Sequence, residues 1–152
     1  MLFRSPGAAR NGQASATPIM SIDIFPTALA AAGVPVPAGL KIDGVNLVPH
    51  LRGESAPERD ALYWHYPHYG NQGGFPGGAI RMGDWKLVEN YEDGVVELYN
   101  LRADIGEKRD LAAAQPDRTK TMRTKLHAWY REVGAKFLRA KDGGPQPWSP
   151  GQ

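Results

Sequence analysis

Between Ala79 and Leu101, three runs read as strands: Ala79–Arg81, Trp85–Asn90 and Val95–Leu101. Met82–Gly83–Asp84 joins the first two and Glu92–Asp93–Gly94 the last two. Asp-Gly between alternating apolar runs favours a tight hairpin, because glycine enters positive φ at little cost. This segment therefore reads as an antiparallel meander. Just upstream, from Ala61, Leu62, Trp64 and Tyr66 alternate with Tyr63 and His65, a further strand presenting aromatics to both faces. Such a sheet needs a cover, and the sequence supplies one downstream. Pro116 opens a helix at a position where its missing N–H costs little. Met122, Leu126, Trp129, Tyr130, Val133 and Phe137 then follow at steps of 4, 3, 1, 3 and 4, one apolar stripe along an otherwise charged helix over 116–138. The expected fold class is α+β: a small antiparallel sheet packed by a long C-terminal amphipathic helix.

Residues 1–20 show no sustained periodicity and read as loop, with a short strand at each end. A helix follows over 22–32. Ser21 or Asp23 serves as its cap, Pro26 is tolerable in its first turn, and Ile22, Phe25 and Leu29 fall at helical spacing among alanines. Gly33 stops it, and Pro35 and Pro37 prevent its resumption. Residues 34–60 form a Pro- and Gly-punctuated connection anchored by Leu47, Val48 and Leu51 as one short helical turn. The boundaries are therefore 1–60, 61–141 and a Pro/Gly-rich tail, 142–152.

Glycine and proline make up 31 of the 152 residues, so much of the chain lies in turns and irregular connections. The net charge of +2 gives no whole-molecule attraction to nucleic acid or an anionic membrane. Charge is nonetheless uneven: residues 116–141 hold eight Lys/Arg against Asp117 and Glu132 alone, a local +6. The ordinary reading of that run is the solvated face of a helix. The absence of cysteine excludes disulfides, thiolate nucleophiles and Cys-based zinc sites. No run in this chain has the form of a signal peptide or a membrane span.

Catalytic constellations are sparse. There is no Gly-x-Ser-x-Gly elbow, and the glycines at 70–78 lack the spacing and the Lys-Ser/Thr ending of a phosphate loop. The histidines are His50, His65, His68 and His127. Only His65 and His68 are close in sequence, with Pro67 between them, and two histidines without a third ligand make a weak metal site. The best candidate is HYPHYGNQGG, which sets imidazoles, phenols and amides beside a long glycine-rich loop. Its groups either hydrogen-bond a sugar or anion, or pack and cap the loop itself. Arg81, on the following strand, is a candidate anion ligand or a surface arginine. Asp104, Glu107 and Asp110 lack the ligand order of a calcium loop and read as a turn whose carboxylates cap local N–H groups.

Several stretches in order resemble the C-terminal region of the sulfatase family, of the alkaline-phosphatase-like superfamily: FRSPG; SIDIFPTALAAAGVPVP with DGVNLVPHLRG; RDALYWHYPHY; AIRMGDWKLV; ELYNLRADIGEKRDLA; and the terminal helix. The resemblance implies that residues 1–60 are the edge of a larger α/β domain and that 61–141 form the smaller C-terminal subdomain. It also implies a sulfuric ester hydrolase that uses a formylglycine nucleophile, made from a Cys/Ser-x-Pro-x-Arg motif, and a calcium ion. Neither motif nor calcium segment is present here, so no catalytic or metal residue is carried over and the chain alone is expected to be inactive. His65, His68, Asn71, Gln72 and Arg81 become candidate substrate-binding residues, and a sulfated small molecule or glycan the expected partner of the complete enzyme. The alternative is a stand-alone non-catalytic module that binds an anionic, sulfated glycan through His65, His68 and the basic terminal helix. Nucleic acid and membrane are not expected partners. Relatives of this kind are often periplasmic or secreted. A fragment of this kind is expected to expose the apolar face of residues 22–32.

Overall fold

The structure is a computed structural model and describes residues 4, 9–10, 12–71 and 73–151. Gln72 and the FRSPG turn, apart from Arg4, lie outside the described residues. The chain divides into two compact units, residues 1–59 and 60–152.

In the first unit a 3-10 turn, Ser21–Asp23, leads into α1, Ile24–Ala31, and α2 follows at Val48–Arg52. Leu47 and Val48 are buried, as their spacing suggests. Asp23 does not cap α1. Its side chain turns away from the helix: Oδ2 accepts the Met20 N–H at 2.8 Å, Oδ1 accepts the Val45 N–H at 3.0 Å, and the Arg59 guanidinium clasps both oxygens at 2.7 and 2.8 Å. Thr27 Oγ1 donates to the Asp23 carbonyl at 2.6 Å and accepts the Leu47 N–H at 2.9 Å. Asp23 is 0% exposed and Thr27 6%, whereas Ile22, Ile24 and Phe25 are 43%, 47% and 48% exposed. The segment is inside out: it buries its polar side chains and offers its apolar ones to the surroundings. A buried carboxylate is tolerated here because every lone pair that faces inward has a donor.

In the second unit β1 (Leu62–Tyr66), β2 (Gly77–Met82), β3 (Trp85–Asn90) and β4 (Val96–Asn100) form one antiparallel sheet in sequence order. The register sets Tyr63 opposite Ile80, Ile80 opposite Leu87, and Leu87 opposite Leu98. These residues line the face covered by α3, Pro116–Glu132, whose Met122, Leu126 and Tyr130 sit four residues apart and are buried against them. Each fully buried aliphatic side chain there is worth roughly 1.5–3 kcal/mol. Tyr63 stacks on Trp129 with centroids 4.9 Å apart.

The helix ends six residues earlier than its stripe implies. Gly134 takes φ +63, a left-handed conformation that closes a helix and that a side chain would resist. Val133 is left 44% exposed. Phe137 still reaches the core, but from irregular chain, packing edge-on to Tyr91 at 5.0 Å and Tyr130 at 5.2 Å. The acidic turn forms as read. Asp104 Oδ2 accepts the N–H groups of Lys108 and Arg109, Asp110 Oδ1 accepts those of Leu98 and Ala112, and Glu107 pairs with Lys86. The tail folds back so that Trp148 stacks on Tyr91, 5.9 Å between centroids and 13° between planes.

Candidate functional site

Strand alternation sorts the candidates of β1 and β2. His65 shares a face with Tyr63 and points toward α3. Arg81 lies opposite Leu62 and Lys86 on the other face. The two are separated by the sheet and do not converge. His65 has both ring nitrogens engaged: Nδ1 bonds the Tyr91 hydroxyl at 2.7 Å, and Nε2–H donates to the Lys136 carbonyl at 2.8 Å. Tyr130 and Phe137 pack around the ring. Burial lowers its pKa below 6.5, and the Lys136 carbonyl offsets this in part. His65 is thus tied into the subdomain with no nitrogen free for a ligand.

His68 and Asn71 are exposed on the loop between β1 and β2. The His68 ring meets the exposed Tyr66 edge-on at 5.4 Å. Tyr69 donates to Glu92 at 3.0 Å, which ties the loop to the β3–β4 turn. Arg81 is half-buried and spends its Nε–H on the Gly83 carbonyl at 3.0 Å. Loop and Arg81 therefore supply donors that remain open to solvent, at opposite ends of the β1–β2 pair: the loop follows Tyr66 opposite Gly77, whereas Arg81 stands opposite Leu62.

Sequence reasoning passed over a buried polar network under α3. Glu89 is 0% exposed on β3, accepting Arg123 Nε at 2.7 Å and His127 Nε2 at 2.9 Å. Arg123 also reaches the Gly94 carbonyl at 3.1 Å. The Tyr91 hydroxyl bridges His65 and the Tyr130 hydroxyl, the latter at 2.8 Å. Burial pushes both phenols well above their ordinary pKa, so both remain protonated donors. The legible signal was Glu89 itself, a carboxylate at a position where β3 alternation calls for an inward side chain.

In the first unit a half-open cavity of about 860 Å³ is lined by Arg10, Ser15, Leu47 and His50 among others. Ser15 Oγ lies 3.1 Å from His50 Nε2. Among the described residues no carboxylate orients that imidazole, so the pair lacks the third member of an acyl-transfer site. Among the described residues, no three His, Cys, Asp or Glu side chains gather as a metal cage. Among the described residues, the calcium that the sulfatase resemblance implies therefore finds no ligand set.

The family model described as N-sulphoglucosamine sulphohydrolase, C-terminal, matches residues 1–135. The chain belongs to this sulfatase family. A sulfatase of Formosa agariphila is 34% identical over 144 residues, which cover 85% of this chain and 26% of that protein. The solved structure of BT4656 in complex with its substrate D-glucosamine-2-N,6-O-disulfate superposes with a TM-score of 0.72 at 32% identity, covering 84% of this chain and 27% of that one. The structure of Ps i-CgsB with k-i-k-neocarrahexaose gives 0.62 at 27% identity, over 74% and 24%. This sulfatase chain thus spans about a quarter of the length of the relatives it matches, and its α+β architecture is that of their C-terminal region.

Proposed function

We propose that this chain serves as the C-terminal portion of a sulfate-ester hydrolase acting on sulfated sugars, and that it contributes substrate contacts rather than the nucleophile. The family match over residues 1–135 carries the reading, supported by a neighbour that binds a disulfated glucosamine. A sulfated sugar presents hydroxyls and a dispersed negative charge, which ask for neutral donors and a cation. His68 and Asn71 supply donors from the exposed loop, and Gln72 belongs to the same segment of sequence. Arg81 keeps the rest of its guanidinium for an anion once Nε–H is spent on Gly83. His65 is a positioning residue: its two bonds hold the end of β1 from which the loop departs.

The test is a chimera in which these 152 residues replace the homologous last quarter of BT4656, assayed for sulfate release from its substrate D-glucosamine-2-N,6-O-disulfate. His68→Ala should raise KM about tenfold, the loss of roughly one charge-assisted hydrogen bond, with an unchanged melting temperature. A folded chimera that releases no sulfate removes the hydrolase reading. Unchanged kinetics in His68→Ala removes the loop from the substrate site.

A further inference from the structure

The cations of residues 116–141 are not equivalent. Three are engaged within the second unit: Arg123 with Glu89, Lys125 with Asp60, and Arg118 over the Trp85 ring at 4.2 Å. The other five, Lys120, Arg131, Lys136, Arg139 and Lys141, are exposed, and among the described residues none has a carboxylate within ion-pair distance. Lys120 and Arg131 are eleven residues apart on α3. That spacing brings them to within about 20° of the same side and sets them about 16 Å apart along the axis. Thr124 and Ala128, exposed between them, are uncharged. Asp117 opens the helix, where its charge suits the N-terminal dipole, and Glu132 flanks Arg131. Beyond the helix Lys136, Arg139 and Lys141 are three further exposed cations on the irregular segment that follows it. The local +6, set against a total of +2, leaves −4 on the rest of the chain.

We infer that the exposed cations of α3 and of the segment that follows it, Lys120 to Lys141, form a binding site for a sulfated polysaccharide, separate from the loop that meets the scissile sugar. The inference rests on the sulfatase reading for the identity of the polymer. Cations about three helical turns apart and backed by a rigid hydrophobic stripe suit a polyanion whose charges recur along its length. A single sulfate cannot bridge Lys120 and Arg131, about 16 Å apart along the axis. Such a site holds a chain on the enzyme between hydrolytic events by counterion release, without reading any one sugar.

The experiment uses the 152-residue protein and immobilised heparin, with binding measured across salt concentrations. Five participating cations give a slope of log K against log salt of about −3.5 for a flexible polyanion. The variant Lys120→Glu/Arg131→Glu/Arg139→Glu should bind at least ~30-fold more weakly, with the slope reduced to about −1. The matched control Arg102→Glu/Lys108→Glu/Arg109→Glu makes the same change of net charge at three exposed cations of the acidic turn, and should stay within about threefold. If the charge-reversed helix does not fold, Lys120→Gln/Arg131→Gln should still lower the slope by about 1.5. Equal losses in helix and control variants overturn the site. So does absence of heparin binding at low salt. DNA of equal charge binding as tightly as heparin, or desulfated heparin binding undiminished, overturns the choice of ligand. An inactive chimera that binds heparin leaves this site standing, and a chimera active on small sugars without heparin retention leaves the hydrolase reading standing.

Discussion

Gly78 on β2 is the point where the buried network is least able to yield. A Cβ placed there would stand 1.9 Å from the Tyr130 hydroxyl oxygen and 2.3 Å from that of Tyr91. Gly78→Ala should therefore destabilise the second unit, although alanine in a strand is ordinarily the better residue by about 0.5 kcal/mol. The two phenols cannot both remain, and their displacement breaks the Tyr91–Tyr130 and Tyr91–His65 hydrogen bonds. Overpacking of about 1–3 kcal/mol and two lost bonds at about 1 kcal/mol each give a loss of roughly 3–5 kcal/mol. For a unit of this size that corresponds to a fall in melting temperature on the order of 15–30 °C. The assay is thermal melting followed by near-ultraviolet circular dichroism, which reports the tyrosines and tryptophans of this cluster. Adding Tyr91→Phe and Tyr130→Phe removes the two closest oxygens and should restore part of the loss, the Tyr130 ring carbon at 2.9 Å remaining. A Gly78→Ala melt within about 4 °C of the wild type would refute the argument that the phenols occupy the space above this glycine.

Gly94 lies at φ +73 beneath the indole of Trp148, and a Cβ there would come 2.3 Å from Nε1. Gly94→Ala should expel Trp148, seen as a red shift and increased quenching of tryptophan fluorescence. His65 has a folded pKa below its unfolded value of 6.5, so its contribution is complete above that value and is lost as pH falls through it. The urea midpoint should accordingly drop between pH 7.5 and pH 5 in the wild type, and less in His65→Gln, on the order of one titrating group. For Asp23, burial favours the neutral acid, but Arg59 and the N–H groups of Met20 and Val45 outweigh it and hold the carboxyl below 3.8. Its stabilisation is present above 3.8 and lost as pH falls through the lower folded value. Asp23→Asn should thus destabilise the first unit by about 3 kcal/mol at neutral pH by breaking a buried pair, and the gap between variant and wild type should narrow in acid. Proteolytic susceptibility of residues 1–59 measures it.

Legibility followed locality. The meander was readable because each hairpin is specified within a few residues, and β3 falls at Trp85–Asn90 as its alternation says. The end of α3 was also written locally, in Gly134, but the stripe through Val133 and Phe137 masked it; Phe137 keeps its core place by a different backbone route. The candidate site divided along the same line. His68 and Asn71 are exposed because a glycine-rich loop leaves them so. The role of His65 depends on Tyr91, 26 residues away, and on Lys136, 71 away, and no spacing in the sequence announces either. The network of Glu89, Arg123 and His127 is hidden for the same reason: a carboxylate on β3 is satisfied by two side chains of α3 that only the packing of the helix on the sheet brings to it. Asp23 was read as a cap because its position is that of one, yet donors from residues 45 and 59 hold it elsewhere.

The inverted segment around α1 bears on where this chain can be divided. Residues 60–152 hold the sheet, α3 and the returning tail, while Ile22, Ile24 and Phe25 belong to residues 1–59. Production of residues 60–152 alone leaves the adhesive surface behind, and should give the more soluble protein of the two. That surface leaves the ribosome ahead of residues 60–152, so chaperone occupancy falls there before the well-packed remainder has been made.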